Sequence, residues 1–224
     1  MDNDPVIDIQ NLRHAYKKHV AVADVTFTVQ PRSIHGFVGP NMIAMACGQA
    51  AMVLLMSSVS VHMNDHNHGL GDISTVISIH VLGMFAFSPL VGQAADRVGR
   101  KPVVIAGACL LMIGAIVAAL SLDTPIIALG QFFVGLGWSG CYVGGSALLT
   151  DALGADERAR LQGANDTVVN IASAIGSLSS GLLLAASGFY LVAAVGFAIA
   201  LMPLFATSLL APGAGRPVRV AGAK

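Results

Sequence analysis

Gly92-Gln93-Ala94-Ala95-Asp96-Arg97-Val98-Gly99-Arg100-Lys101-Pro102 places four charged side chains, two glycines and a proline between two long apolar runs. A stretch of this kind is the turn of a membrane hairpin. Gly92 has no side chain, so a neighbouring helix can approach closely there, as small residues allow inside a bilayer. Asp96 ends one apolar run. Arg97, Arg100 and Lys101 then form a cationic cluster that resists translocation and attracts anionic lipid headgroups on the cytoplasmic face. Pro102 opens the next helix, where its missing N–H is no loss.

The rest of the chain fits that reading. Of 224 residues, 55% are hydrophobic and only 11% charged, and the mean hydropathy is +0.74, which excludes an ordinary soluble domain. Crossing about 30 Å of hydrocarbon takes ~20 apolar residues. Six runs of that length are read at 42–63, 73–95, 102–121, 125–150, 164–187 and 190–210. Cys47, Cys109 and Cys141 fall singly in three of them, so they form neither a disulfide framework nor a metal-ligand pair.

Charge sorts the connections into two sets. Arg13, Lys17, Lys18 and Arg32 precede the first run; Arg97, Arg100 and Lys101 follow the second, Arg158 and Arg160 the fourth, and Arg216, Arg219 and Lys224 the sixth. The other three connections hold only Asp65, Asp72 and Asp123. The positive-inside rule therefore puts both termini in the cytoplasm of a multi-pass protein of the cell's inner membrane.

The string G-x-x-x-D-R-x-G-R-K, with Gly92, Asp96, Arg97, Gly99, Arg100 and Lys101 at its fixed positions, resembles the signature loop of the major facilitator superfamily. The resemblance implies an all-α membrane fold whose complete form has twelve spans in two halves, and transport by alternating access. Six spans amount to one half. The run Gly135-Leu-Gly-Trp-Ser-Gly-Cys-Tyr-Val-Gly-Gly-Ser-Ala-Leu-Leu-Thr-Asp151 and the segment Asp156 to Asp166 look like the carboxyl-terminal half. The fourth span also lacks the arginine common in the amino-terminal half, which is the runner-up assignment.

Residues 1–41 differ in kind. Val6 to Tyr16 and Ala23 to Val29 alternate or cluster apolar residues at strand spacing, and Ser33-Ile-His-Gly-Phe-Val-Gly-Pro-Asn41 reads as a third strand entering a glycine turn. This resembles the opening of an ABC-transporter ATPase, in which an aromatic at the place of Tyr16 stacks on adenine. A phosphate loop next needs a further glycine, a lysine and a Ser or Thr, yet the chain continues Met42-Ile-Ala-Met-Ala-Cys-Gly48, so ATP hydrolysis is rejected. The expected organisation is a truncated, β-rich ATPase-like fragment at 1–41, a six-helix domain at 42–211 and a cytoplasmic tail at 212–224. A piece of two or three strands buries too little to be stable alone.

Polar groups inside the spans are the candidates for substrate contact or gating, because charge in hydrocarbon is costly. His80 lies roughly 12 Å into the second span from its outer end at 1.5 Å per residue. It either lines a cavity and carries a proton or, as expected of most such residues, is a neutral imidazole bonded between helices. Gln49 and Gln131 either touch substrate or join helices, and Trp138, near mid-span, faces a cavity or fills a core. Asn165, Asp166 and Asn170 open the fifth span, where a first-turn carboxylate would complement the helix dipole; a cytoplasmic gate is the sharper alternative. The outer loop with His62, Asp65, His66 and His68 has ligand chemistry but no closed metal spacing, so no metal is expected. The resemblance implies no cofactor, no enzymatic activity and no nucleic-acid partner. The expected partners are membrane lipids, an unidentified small solute, and a second copy or a separately encoded six-helix half. The competing reading is a fused membrane fragment that inserts without transporting.

Overall fold

A computed structural model describes residues 7–16, 19–29, 33–151 and 155–208. The expected tail at 212–224, with Arg216, Arg219 and Lys224, lies outside the described residues, as do Lys17, Lys18 and Arg32. The chain divides into two compact units, Met1–Phe37 and Val38–Lys224.

In the first unit, β1 (Ile7–Tyr16) and β2 (His19–Val29) pair antiparallel, Ile7 opposite Val29 and Tyr16 opposite His19, with register irregularities between Ile9 and Ala15. The third strand expected at 33–41 does not form. Helix α1 runs Ser33–Asp65 and carries Pro40 inside it. Adding a residue to an existing helix gains one hydrogen bond per residue ordered. Among the described residues the sheet holds only β1 and β2.

The remaining elements of the second unit are α2 (Leu70–Phe85), α3 (Ser88–Val98), α4 (Arg100–Ala119), α5 (Thr124–Asp151), α6 (Ala155–Ala200) and α7 (Met202–Ser208). Pro89, in the first turn of α3, follows the break that separates α3 from α2. Among the described residues five stretches are long and apolar enough to cross a membrane: Gly39–Asp65, Leu70–Val98, Arg100–Ala119, Thr124–Asp151 and Arg158–Ser208. The last has 51 residues, about 77 Å if straight, more than twice the hydrocarbon thickness. It is broken at Ser187 and at Gly188, whose φ of 73° lies where a side chain is disfavoured. That break falls at the expected 188–189 connection.

The connections collect at two ends. At one, the His62 ring stacks on Phe189 with centroids 4.7 Å apart, and Thr124 Oγ1 meets His68 Nδ1 at 3.2 Å. These are the loops without lysine or arginine. At the other, Arg100 reaches Asp151. Alternate connections thus lie at opposite ends, as a chain threading back and forth requires.

The core gathers Leu54, Leu55 and Met63 of α1, Leu111 and Ala115 of α4, Val134 of α5 and Val192 of α6. The tightest seam is α4 against α5, where both helices present glycine. A β-carbon at Gly137 would stand 2.5 Å from the Leu111 nitrogen and 2.7 Å from the Gly107 carbonyl oxygen. The fourth-span glycines are therefore explained by close packing. Gly92 is the opposite case. Among the described residues a β-carbon there would meet nothing within 4 Å, so none of them makes the close helix approach expected at Gly92. Gly137→Ala is expected to cost roughly 1–3 kcal/mol through overpacking, whereas Gly92→Ala should leave the detergent melting temperature unchanged. Equal shifts in a thermal melt of the two variants would contradict this packing.

Candidate functional site

Arg100 ties the charged turn to two neighbouring helices. Between α3 and α4 only Gly99 intervenes, at φ 107° and ψ 157°, a region that residues with a β-carbon rarely enter. This sets the next side chain, Arg100, back toward two carboxylates. Its Nη1 pairs with Asp96, one turn earlier, and its Nε donates to Asp151 Oδ2 at the end of α5, 3.2 Å away. The Arg100 side chain is 14% exposed and that of Asp96 68%. The guanidinium thus stitches α3, α4 and α5 together, while Asp96 keeps much of its carboxylate open. Arg97 is exposed and Lys101 half-buried.

A second group lies within the spans. Gln49 of α1 accepts the Trp138 indole N–H of α5 at 2.6 Å and donates from Nε2 to Ser173 Oγ of α6 at 3.3 Å. The Trp138 ring stacks on Tyr142 one turn on, with centroids 5.1 Å apart, and meets the Phe85 edge at 6.0 Å. Tyr142 is in turn close enough to Asp166 of α6 for the carboxylate's charge to act on its phenol. Gln49, Trp138, Tyr142, Ser173 and Asp166 are each partly exposed, and Phe85 is exposed, so the seam has an open side. Tyr142 went unmarked by sequence reasoning, although i, i+4 spacing from Trp138 is the signal that finds it.

His80 and Gln131 are placed differently. Both are fully buried, and His80 Nδ1 donates to the Gln131 backbone carbonyl at 2.9 Å. Since a carbonyl only accepts, Nδ1 carries a proton, and the ring bridges α2 and α5. His80 Nε2 and both polar atoms of the Gln131 side chain have no partner among the described residues. The pair belongs to a packed helix interface.

Asn165, Asp166 and Asn170 require a correction. They do not open a helix: α6 begins at Ala155, so Asp166 sits three turns in and has no free first-turn N–H groups to satisfy. Asp166 Oδ1 instead accepts from Gln162 Nε2 at 3.1 Å and from Asn165 Nδ2 at 3.5 Å. Asn170 Nδ2 donates back to the Asp166 carbonyl at 2.8 Å and is exposed. In the histidine loop, His66 Nδ1 is 2.7 Å from the His62 carbonyl. Among the described residues no group of three or more His, Cys, Asp or Glu is arranged to hold a metal ion.

Comparison with known sequences matches residues 42–223 to the family model described as Major Facilitator Superfamily. The chain belongs to the Major Facilitator Superfamily. It is similar to the uncharacterized MFS-type transporter YddS of Bacillus subtilis, 32% identical over 162 residues, covering 71% of this chain and 37% of the relative. The riboflavin transporter RfnT of Brucella anthropi is 32% identical over 149 residues, 66% of this chain and 37% of its own length. Multidrug resistance protein MdtL of Escherichia coli is 29% identical over 179 residues, 75% and 46% respectively. The chain spans less than half the length of these relatives. For a Major Facilitator Superfamily chain, several membrane-crossing helices make it a multi-pass membrane protein.

Proposed function

We propose that the chain is one six-helix half, equivalent to the carboxyl-terminal half, of a secondary transporter that moves a small or drug-like organic solute across the cell's inner membrane by alternating access. The seam of Gln49, Trp138, Tyr142, Ser173 and Asp166 carries this reading. Three spans contribute polar and aromatic groups that are each partly exposed. Polar groups at membrane depth usually face a cavity or a partner. That relatives include a riboflavin transporter and a multidrug resistance protein supports an organic solute. The reading needs no cofactor, metal, nucleic acid or enzymatic step.

The second wall comes from another polypeptide, either a second copy or a separately encoded half, because a midplane site forms between repeats. Gly92, open on its free side, and Asp96, largely exposed, are contacts left for it. Residues 1–41 are the truncated start of an ABC-type ATPase fused to this half, with Met42 onward standing where the phosphate loop would continue. Reconstitution into proteoliposomes tests the function: saturable flux of a flat organic dye down an imposed gradient is expected. Flux at the level of protein-free liposomes, in every oligomeric state tested, overturns it.

Both termini lie in the cytoplasm in this arrangement. Single cysteines at positions 66, 99 and 158, in a cysteine-free background, are expected to react with an impermeant maleimide from outside only at 66. Outside labelling at 158 sinks the six-span topology.

A further inference from the structure

Two cavities share a rim at the end of the bundle whose loops lack lysine and arginine. One is a groove of about 420 Å³ between α4 and the part of α6 beyond its break at Gly188. Buried Ala115 and Ala193 floor it, while Leu120 and Tyr190, 70% and 74% exposed, stand at its rim. Short side chains between long ones make the channel. From Tyr190 to Phe197 it runs about 10 Å along α6, a third of the ~30 Å hydrocarbon layer. Apart from the Tyr190 hydroxyl, every side chain lining it is apolar. A groove with this lining, on a helix that crosses a membrane, suits a hydrocarbon chain.

The second cavity, about 240 Å³, is polar where the groove is not. It shares Ala119, Leu120 and Tyr190 with the groove and adds His62, His66 and Ser121. His66 Nδ1 donates to the His62 carbonyl at 2.7 Å, which in the neutral ring leaves Nε2 as an acceptor. Ser121 gives its O–H to Asp123 Oδ2 at 2.9 Å, so a carboxylate stands close by. The helix α4 ends at Ala119, in the cavity wall, where the last carbonyls of a helix lack partners and the dipole is negative. No lysine or arginine lines the cavity among the described residues. Acceptors without a cation are complemented by a cation with N–H donors.

We propose that the two cavities together bind one phospholipid with a primary ammonium headgroup, an acyl chain lying in the alanine groove and the ammonium held among His66 Nε2 and the last carbonyls of α4. Neither cavity contains a residue of the Gln49–Trp138 seam. The site therefore requires neither transport nor a second half.

Native mass spectrometry of the purified full chain in detergent tests it. The chain is titrated with phosphatidylethanolamine and, separately, with phosphatidylcholine of the same acyl chains, whose trimethylammonium has no N–H to donate. One phosphatidylethanolamine is expected to be retained, with a Kd roughly tenfold below that for phosphatidylcholine, the size of one hydrogen bond to a charged group. His66→Leu should bring phosphatidylethanolamine to the phosphatidylcholine level and leave the latter unchanged. Ala194→Trp, which fills the groove from an exposed position, should weaken both lipids about tenfold or more. Both positions are exposed, and an unchanged melting temperature confirms that the variants fold. Equal Kd values for the two lipids, or phosphatidylethanolamine binding indifferent to either substitution, overturns the site. Displacement of the lipid by an equal concentration of glycerophosphoethanolamine, which has the headgroup and no chains, overturns it as well, since the groove would then contribute nothing.

Discussion

Replacing Arg100 by alanine is expected to lower the stability of the cytoplasmic end by more than a surface ion pair would. An exposed salt bridge contributes at most about 1 kcal/mol, and Asp96 taken alone would fall in that class. Arg100 itself is largely buried, at 14% side-chain exposure, and serves two carboxylates on different helices. Hydrogen bonds to charged groups contribute roughly 1.5–3 kcal/mol. The Ala variant also leaves Asp96 and Asp151 as like charges with the shared cation gone. We therefore expect a loss of about 2–3 kcal/mol in a detergent melt, within the range for such bonds. Arg100→Lys should recover only part of it, since a compact ammonium cannot span two carboxylates as a planar guanidinium does. Adding Asp151→Asn to Arg100→Ala should recover part of the loss by removing an unpaired charge, and a double-mutant cycle reads the coupling directly. Additivity of the two substitutions would mean that Arg100 and Asp151 merely lie near each other.

How far the sequence could be read depended on what hydropathy measures. It marks where a chain meets hydrocarbon, and the apolar runs, the cationic turn at Asp96–Lys101 and the break at Gly188 all follow from that quantity. It does not mark where a helix begins. Residues 155–163 are polar, yet they continue α6 beyond the apolar segment, and a carboxylate that hydropathy placed at a helix start is three turns inside one. The same blindness affected 33–41, whose apolar spacing suits a strand but which forms the start of α1. The seam was half legible. Gln49 and Trp138 stood out as polar or amphipathic groups at membrane depth, but that they bond to each other across 89 positions is tertiary information. Tyr142, Ser173 and Gln162 acquire meaning only from those contacts. Gly92 was misread because a glycine in a signature turn promises a close neighbour without saying on which polypeptide.

That last point bears on the second half proposed above. A strictly monomeric preparation of this chain is expected to show solute flux at the level of protein-free liposomes, and an assembled form to exceed it at least tenfold. In the proposed half-transporter, six spans would supply one wall of a midplane site. In the superfamily the signature aspartate is expected to meet the start of a helix from the opposite half, where free N–H groups and the dipole stabilise a carboxylate. Asp96 retains the exposure for such a contact even while paired with Arg100, at 68% of its side chain. Gly92, a turn earlier, offers a surface on which a β-carbon would touch nothing within 4 Å among the described residues. Gly92→Leu should therefore leave the melting temperature of the six-helix unit unchanged while blocking the approach of a partner, and Asp96→Ala should weaken the same association. Native mass spectrometry counts the subunits, and flux is measured on the same preparations. A monomer that transports, or a Gly92→Leu variant that assembles and transports as the parent does, would show that the open face of α3 meets lipid alone.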